Sequence, residues 1–131
     1  MKRFPSALVA FVFLAAAVSS RAHHSFAATY LADETVTIEG ELVQVLFRNP
    51  HSFIHVAVKE KNGSVVRYAV EWRGAAELET QGVHRETLKP GDRVVISGNP
   101  GRNPSDHRLR MSSLYHPRDG MRWTISSNAV N

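Results

Sequence analysis

The sequence predicts a mainly β domain that contains one short helix. Apolar and polar residues alternate over several short stretches, and turns rich in glycine, proline and asparagine separate those stretches. Only one stretch is rich in alanine, glutamate and leucine. Strict alternation is typical of half-buried strands, whereas helices repeat apolar residues every three or four positions. A chain of 131 residues has room for one such domain.

The first predicted strand begins at Thr35 and changes the face of its apolar residues midway. One face is shared by Val36, Ile38 and Leu42, and the other by Val43, Val45 and Phe47. Because successive strand side chains point to opposite faces, a switch near residues 40–43 predicts a bulge or bend in one long strand. The Asn49-Pro50 pair ends this strand.

The next two strands form a predicted hairpin. The aliphatic residues expected to face the core in the second strand are Ile54, Val56 and Val58. In the third strand the corresponding face carries Val66, Tyr68, Val70 and Trp72. We expect Asn62-Gly63 between them to supply the left-handed backbone conformations of a tight turn.

A short helix and two further strands complete the predicted barrel. Residues 75–81 read as a helix that stops at Gly82. Residues 93–97 and 109–115 read as strands, separated by a loop over 98–106, and a last short segment covers 121–125. Three strands, a helix and two strands is the order of the OB-fold, a five-stranded Greek-key barrel. A small open β-sandwich is the alternative.

The first 22 residues have the pattern of a cleavable secretory signal peptide. Lys2 and Arg3 form a positive start, and residues 7–18 form an apolar run without charge. Ser20 and Ala22 supply the small residues expected before a cleavage site. The apolar run is shorter than the roughly 20 residues of a membrane span, so we expect a periplasmic or secreted protein without one after cleavage.

Cleavage after Ala22 would divide the chain into four parts. Residues 1–22 leave, and a lead-in over 23–34, a barrel domain over 35–125 and a polar tail over 126–131 remain. Three of the 16 basic residues leave with the signal peptide, so the mature chain has 13 basic and 12 acidic residues. This near-neutral balance argues against nucleic acid as a partner, since nucleic-acid-binding domains carry a basic patch.

Several kinds of chemistry are excluded by residues that the sequence lacks. There is no cysteine, so thiol catalysis, zinc–thiolate sites, iron–sulfur clusters and disulfides are excluded. Nor does the sequence contain a nucleophile elbow, a His-Glu-x-x-His motif or a phosphate-binding loop. We therefore expect a binding protein rather than an enzyme, with no catalytic residues.

Four short sequence boxes occur in a characteristic order. They are HHSFAA at residues 23–28, VTIEG at 36–40, NPH at 49–51 and LKPGD at 88–92. With these boxes the chain resembles the small exported bacterial proteins grouped as domain-of-unknown-function family 6152. The likeness covers nearly the whole mature chain. That family has no established activity, so the resemblance implies export and an OB-like barrel rather than a chemistry.

Histidines near the mature N-terminus suggest a metal site. The candidate ligands are His23, His24, His51 and His55. If cleavage follows Ala22, the amine and the ring of His23 can bind one ion together, and one more imidazole would complete a nitrogen-rich site. Such nitrogen donors suit copper(II), and the arrangement resembles the histidine brace of copper proteins. Binding would compete with protons, because these nitrogens must be deprotonated.

Two conditions limit this metal hypothesis. His51 and His55 lie four residues apart in one strand, about 13 Å along it, unless His51 belongs to the preceding loop. Cleavage after Ala17, which the alanines before it permit, would leave His23 inside the chain. No ligand role is expected for the remaining histidines, His84, His107 and His116.

A second hypothesis assigns a metal-independent function to the outer face of strands two and three. Its candidate ligand-binding residues are Phe53, Arg67 and Glu71, and this is the usual ligand face of an OB-fold. Phe53 could stack on a planar ligand or a sugar, or the face could bind a protein. Alternatively, the lead-in covers this face and Phe26 packs on Phe53.

Overall fold

The structure, a computed structural model, describes residues 26–125. The predictions for the signal peptide, for His23 and His24, and for the polar tail therefore lie outside the described residues. No helix within the described range has the length and apolar character needed to cross a membrane.

Within residues 26–125 the structure has six strands and a short helix between the third and the fourth of them, besides a helical turn at residues 26–29. The strands are β1 (Val36–Leu46), β2 (Phe53–Lys59), β3 (Val65–Glu71), β4 (Arg93–Pro100), β5 (Arg108–His116) and β6 (Met121–Thr124). The helix α1 (Ala75–Thr80) connects β3 to β4, and a 3-10 turn (Pro104–Asp106) precedes β5. Ala75 and Leu78 are the buried residues of α1.

The first five strands close into a barrel. Strands β3, β2, β1, β4 and β5 are neighbours in that order, and a parallel ladder between β3 and β5 closes the sheet. The other ladders are antiparallel, and β6 extends the sheet by pairing with β5. The predicted five-stranded OB-like barrel with one short helix is confirmed. The open-sandwich alternative is wrong, because the sheet closes on itself.

Strand β1 bends at a bulge and so takes part in both halves of the barrel. Its residues 36–41 pair with β4, and residues 41–46 pair with β2. The register shifts between Leu42 and Gln44, which leaves Val43 with 42% of its surface exposed. The predicted change of face is therefore confirmed, and the bulged residue is the valine at which the apolar pattern switches.

The core fills the barrel with the alternating faces predicted for β2 and β3. Its buried residues include Leu42, Ile54, Val56, Val70, Val94, Ile96, Leu109 and Leu114. Trp72 and Trp123 also belong to this core, and their rings meet edge to face with centroids 5.3 Å apart. Trp123 belongs to β6, so the sixth strand contributes to the core as well as to the sheet.

Two turn predictions are corrected. The Gly-Asn-Pro stretch predicted as loop is the end of β4, which continues to Pro100 past a bulge at Ser97/Gly98. In the β2–β3 turn only Gly63 has a positive φ, at 87°. Asn62 instead accepts a hydrogen bond on its side chain from the Ser64 amide (2.9 Å), an Asx-type contact that stabilises turns.

Gly40 and Gly98 lie where neighbouring strands approach too closely for a side chain. A Cβ at Gly40 would lie 2.2 Å from the carbonyl oxygen of Ala57. A Cβ at Gly98 would lie 2.0 Å from the carbonyl oxygen of Arg110. Both obstacles are backbone atoms, so relief would require the strands to separate.

Candidate functional site

Four polar side chains meet on the outer wall of the barrel; we call them the Glu71 cluster. Glu71 ends β3, and Arg110 lies opposite it in the parallel ladder of β5. His51 lies two residues before β2, in the segment after the cis Asn49–Pro50 bond. Tyr30 comes from the segment that precedes β1. The cluster therefore joins three parts of the barrel to the N-terminal lead-in.

The carboxylate of Glu71 is the centre of the cluster. Its Oε2 accepts a hydrogen bond from the Tyr30 hydroxyl (2.5 Å). Its Oε1 accepts a hydrogen bond from Nη1 of Arg110 and lies 3.1 Å from Nδ1 of His51. That ring nitrogen is also 3.3 Å from Nη1 of Arg110. Both oxygens of the Glu71 carboxylate therefore have partners within the protein, and neither is free for a ligand.

The lead-in lies against the end of β4 and the start of β5. Residues 26–29 form a helical turn, and Tyr30 makes an isolated bridge with Gly101. The Leu31 amide donates to the carbonyl of Pro100 (2.9 Å), and the Asn99 side chain donates to three lead-in carbonyls. The lead-in is thus docked at the end of β4 and the start of β5.

Arginines hold this docked segment. Arg102 donates from its Nε to the Ala27 carbonyl (2.5 Å) and from its backbone amide to the Thr29 carbonyl (2.9 Å). The guanidinium of Arg108 lies 5.8 Å from the centre of the Tyr30 ring. Arg102 and Arg108 therefore bind the lead-in of their own chain.

Tyr30 keeps its proton to unusually high pH. The residue is 2% exposed, and burial, followed by the hydrogen bond and the charge of Glu71, raises its pKa from 10.0 to about 12. The raised pKa stabilises the folded state fully below pH 10 and loses that contribution as the pH rises through about 12.

We therefore expect one of the three tyrosines to ionise late when the folded protein is titrated with base. Ultraviolet absorbance of tyrosinate should show a step near pH 12 that is absent from the Tyr30→Phe variant. Urea unfolding across this range should show stability falling with the same step. Identical titration curves for the two proteins would contradict the assignment.

His55 lies within β2, unlike His51, and its surroundings differ from those of the Glu71 cluster. His55 pairs with Ala69 of β3 and Gln44 of β1. Its pKa is lowered by burial and by the positive charge of Arg67, which donates to the Gln44 side chain (2.7 Å). Among residues 26–125, no group of three or more His, Asp and Glu side chains could hold a metal ion. A complete site would therefore need His23 or His24.

Phe53 and Arg67 lie on the predicted face, but Glu71 is engaged elsewhere. The guanidinium of Arg48 lies 5.5 Å from the centre of the half-buried Phe53 ring. Phe26, expected against Phe53, instead contacts the Tyr30 ring, with centroids 5.6 Å apart. Sequence reasoning did not identify Tyr30 as a member of this site. Its position just after the histidine-rich box was the available signal.

A third histidine has a structural role. His116 is 3% exposed and lies between two carboxylates, with Nδ1 2.9 Å from Asp119 and Nε2 3.3 Å from Asp92. Asp92 also accepts a hydrogen bond from the Lys89 amide (2.9 Å), which closes the turn of the LKPGD box. A hydrogen bond from the Met121 amide is the main cause that lowers the pKa of Asp119. This box therefore fastens the end of β5 to the start of β4.

The comparisons with known proteins give a family but no activity. A search of curated proteins finds no match. A family model described as a family of unknown function matches residues 11–110, which include the lead-in, the Glu71 cluster and β1 to β4. The chain belongs to this family, DUF6152.

Proposed function

We propose that the protein is an exported, periplasmic or secreted, binding module that captures copper through its N-terminal histidines and His51. The observation that carries the proposal is the docking of the lead-in at the Glu71 cluster. Tyr30 binds one oxygen of the Glu71 carboxylate, and His51 contacts the other. The segment that follows His23 and His24 is thereby fastened beside His51.

The length of the lead-in allows the ligands to meet. His24 precedes Tyr30 by six positions, and a chain of six residues spans at most about 20 Å when extended. The helical turn at residues 26–29 shortens this distance, since a helix rises about 1.5 Å per residue. Copper(II) prefers nitrogen donors, and the His23 amine and ring with the His51 ring would supply three.

His51 suits a ligand role better than His55. Its side chain is 43% exposed, and its Nδ1 faces Glu71 while the described residues give Nε2 no polar partner. Arg67 beside His55 is paired with the neutral Gln44 side chain and would repel a metal cation, whereas Arg110 beside His51 is paired with the Glu71 carboxylate. We therefore propose His23, His24 and His51 as the ligands and leave His55 out of the set.

The expected result is stoichiometric copper(II) binding by the exported, processed protein without a tag. Calorimetric titration should detect one ion per chain, and intact mass should show a chain that begins at His23. His23→Ala removes the ring that chelates the ion together with the N-terminal amine. His51→Gln removes the imidazole that the barrel supplies. Each substitution should weaken copper binding by more than ~10–100-fold, which is the usual effect of changing a residue that contacts a metal ligand but not the metal.

His55→Gln is the matched control, because it makes the same change at a nearby histidine of β2 and should leave copper affinity unchanged. A flat titration of the processed protein, or a mature chain that begins at Val18, would refute the proposal. In that case the metal-independent hypothesis would remain, with Phe53 and Arg67 as its candidate residues and without a free carboxylate at Glu71.

A further inference from the structure

A groove opens between β1 and the β2–β3 hairpin. Its volume is about 1070 Å³, and its two walls include residues 37–41 of β1 and residues 57–62 of β2 and the following turn. We propose that this groove binds an extended peptide segment of another protein, which joins the sheet as a strand along β1. The groove shares no residue with the Glu71 cluster, so the inference is independent of the proposed copper site.

The groove exists because the β1–β2 ladder ends early. Its last pair on this side is Glu41 with Ala57, although both strands continue beyond that pair. The same register, carried on, would place Glu39 opposite Lys59. At Gly40, however, β1 approaches the Ala57 carbonyl too closely for any side chain, and from there β1 pairs with β4 alone. The two strands therefore separate while each keeps its regular backbone.

The separated part of β1 directs unpaired main-chain groups into the groove. The Leu42 amide donates to the carbonyl of Asp92 (2.8 Å), so the main-chain groups of Leu42 face β4. Successive residues of a strand direct these groups alternately to its two sides. Ile38 therefore faces β4 as Leu42 does, whereas Thr37 and Glu39 face the groove. Within residues 26–125, no strand pairs with these two residues on that side.

The opposite wall of the groove offers the same kind of groups. In the hairpin the Glu60 amide donates to the carbonyl of Ser64 (2.8 Å), so Glu60 faces β3. By the same alternation, the main-chain groups of Lys59 face away from β3 and toward the groove. Donors and acceptors at the spacing of a strand match the backbone of an extended peptide. Peptides bound in this way gain affinity from main-chain hydrogen bonds and specificity from alternate side chains.

The side chains along the groove indicate which peptides fit. Val58 and Tyr68 pack against the core but are only partly buried, and both line the groove. Val65, on the same hairpin, is 66% exposed. Side chains of an added strand point alternately to the two faces of the sheet. We therefore expect apolar residues at alternate positions of the partner, where they would cover Val58 and Tyr68.

Hydrogen exchange of the exported, processed protein is the first test and needs no ligand. The amides of Thr37, Glu39 and Lys59 should have protection factors at least about tenfold lower than that of Ile38, which bonds to β4. Equal protection would overturn the inference. Protection of the three amides that grows with protein concentration would also overturn it, because the groove would then hold a second copy of the chain.

The second test uses seven-residue peptides selected on the immobilised protein from a random phage-displayed library. The selected peptides should carry apolar residues at alternate positions and should protect the amides of Thr37 and Glu39. N-methylation of the peptide amides that face β1 should abolish binding, whereas N-methylation of the intervening amides should not. A library without binders, or binders that leave the two amides unprotected, would refute peptide binding in the groove.

Glu39→Pro removes a groove-facing amide and leaves the β4 ladder its bonds, since proline is tolerated where a strand has an unpaired edge. It should weaken binding of a selected peptide by at least about tenfold, the effect of one main-chain hydrogen bond. Glu39→Ala is the matched control, because it loses the same side chain and its ion pair with Arg93 (2.8 Å) but keeps the amide. Equal peptide affinities of the two variants would contradict the proposal. If the proline variant does not fold, the N-methylated peptides decide the same question from the partner's side.

Discussion

Gly98→Ala is expected to lower the free energy of unfolding by at least about 4 kcal/mol, which is beyond the range of ordinary substitutions. The new Cβ would lie 2.0 Å from the carbonyl oxygen of Arg110, in the strand that pairs with it. No rotation of a side chain relieves a contact with backbone, so the β4–β5 ladder would have to open. Such a loss is comparable to the whole stability of many small domains.

Urea unfolding of the purified variant would measure this loss. Gly101→Ala is the matched control, because the atom nearest its new Cβ is the Arg108 Cβ at 3.2 Å and no backbone atom lies closer than 3.7 Å. We expect this control to lose far less stability than Gly98→Ala. Equal losses, or a Gly98→Ala variant within about 1 kcal/mol of the wild type, would show that the ladder tolerates a methyl group there.

The second large effect is expected for Trp123→Ala, which should cost about 3–5 kcal/mol. Trp123 is 6% exposed, meets Trp72 edge to face and donates from Nε1 to the Gln81 side chain (2.6 Å). Its loss would leave a cavity in the core beside Trp72 and remove the hydrogen bond that joins β6 to Gln81. The sixth strand would then add little to the fold.

Thr124→Ala is the matched control, because it truncates a residue of the same strand that lies outside the core. Thr124 is exposed and is paired with Ser113, so its truncation should change stability by less than about 0.5 kcal/mol. Thermal unfolding of both variants, followed by near-ultraviolet circular dichroism, would report the tryptophan environment directly. Similar stabilities for the two variants would mean that β6 contributes little to the stability of the barrel.

Much of the fold could be predicted because it is encoded by local alternation. The change of face at residues 40–43 is visible in sequence, and it becomes the bulge at Val43. The end of β4 could not be predicted in the same way, because its Gly-Asn-Pro composition is typical of loops. There the strand persists since Gly98 fits against Arg110 and the lead-in pairs with Pro100.

The candidate site was less predictable because it depends on contacts between distant parts of the chain. Spacing within β3 places Arg67 and Glu71 on one face of the strand but does not identify the residues that they contact. In the structure Arg67 binds Gln44 of β1, and Glu71 binds Arg110 of β5. Only the parallel ladder between β3 and β5 brings the latter two together. The ligand-binding role expected for a free Glu71 carboxylate therefore does not fit its surroundings.

The partners of the lead-in have a consequence for the order of folding. Tyr30, Leu31 and Ala27 are held by Glu71, Pro100 and Arg102, which lie roughly 40 to 75 positions later in the chain. Contacts of such long sequence separation form only after the intervening loop has closed, which makes them slow. We therefore expect the N-terminal segment to remain undocked, and open to a processing protease, until β5 has joined the barrel.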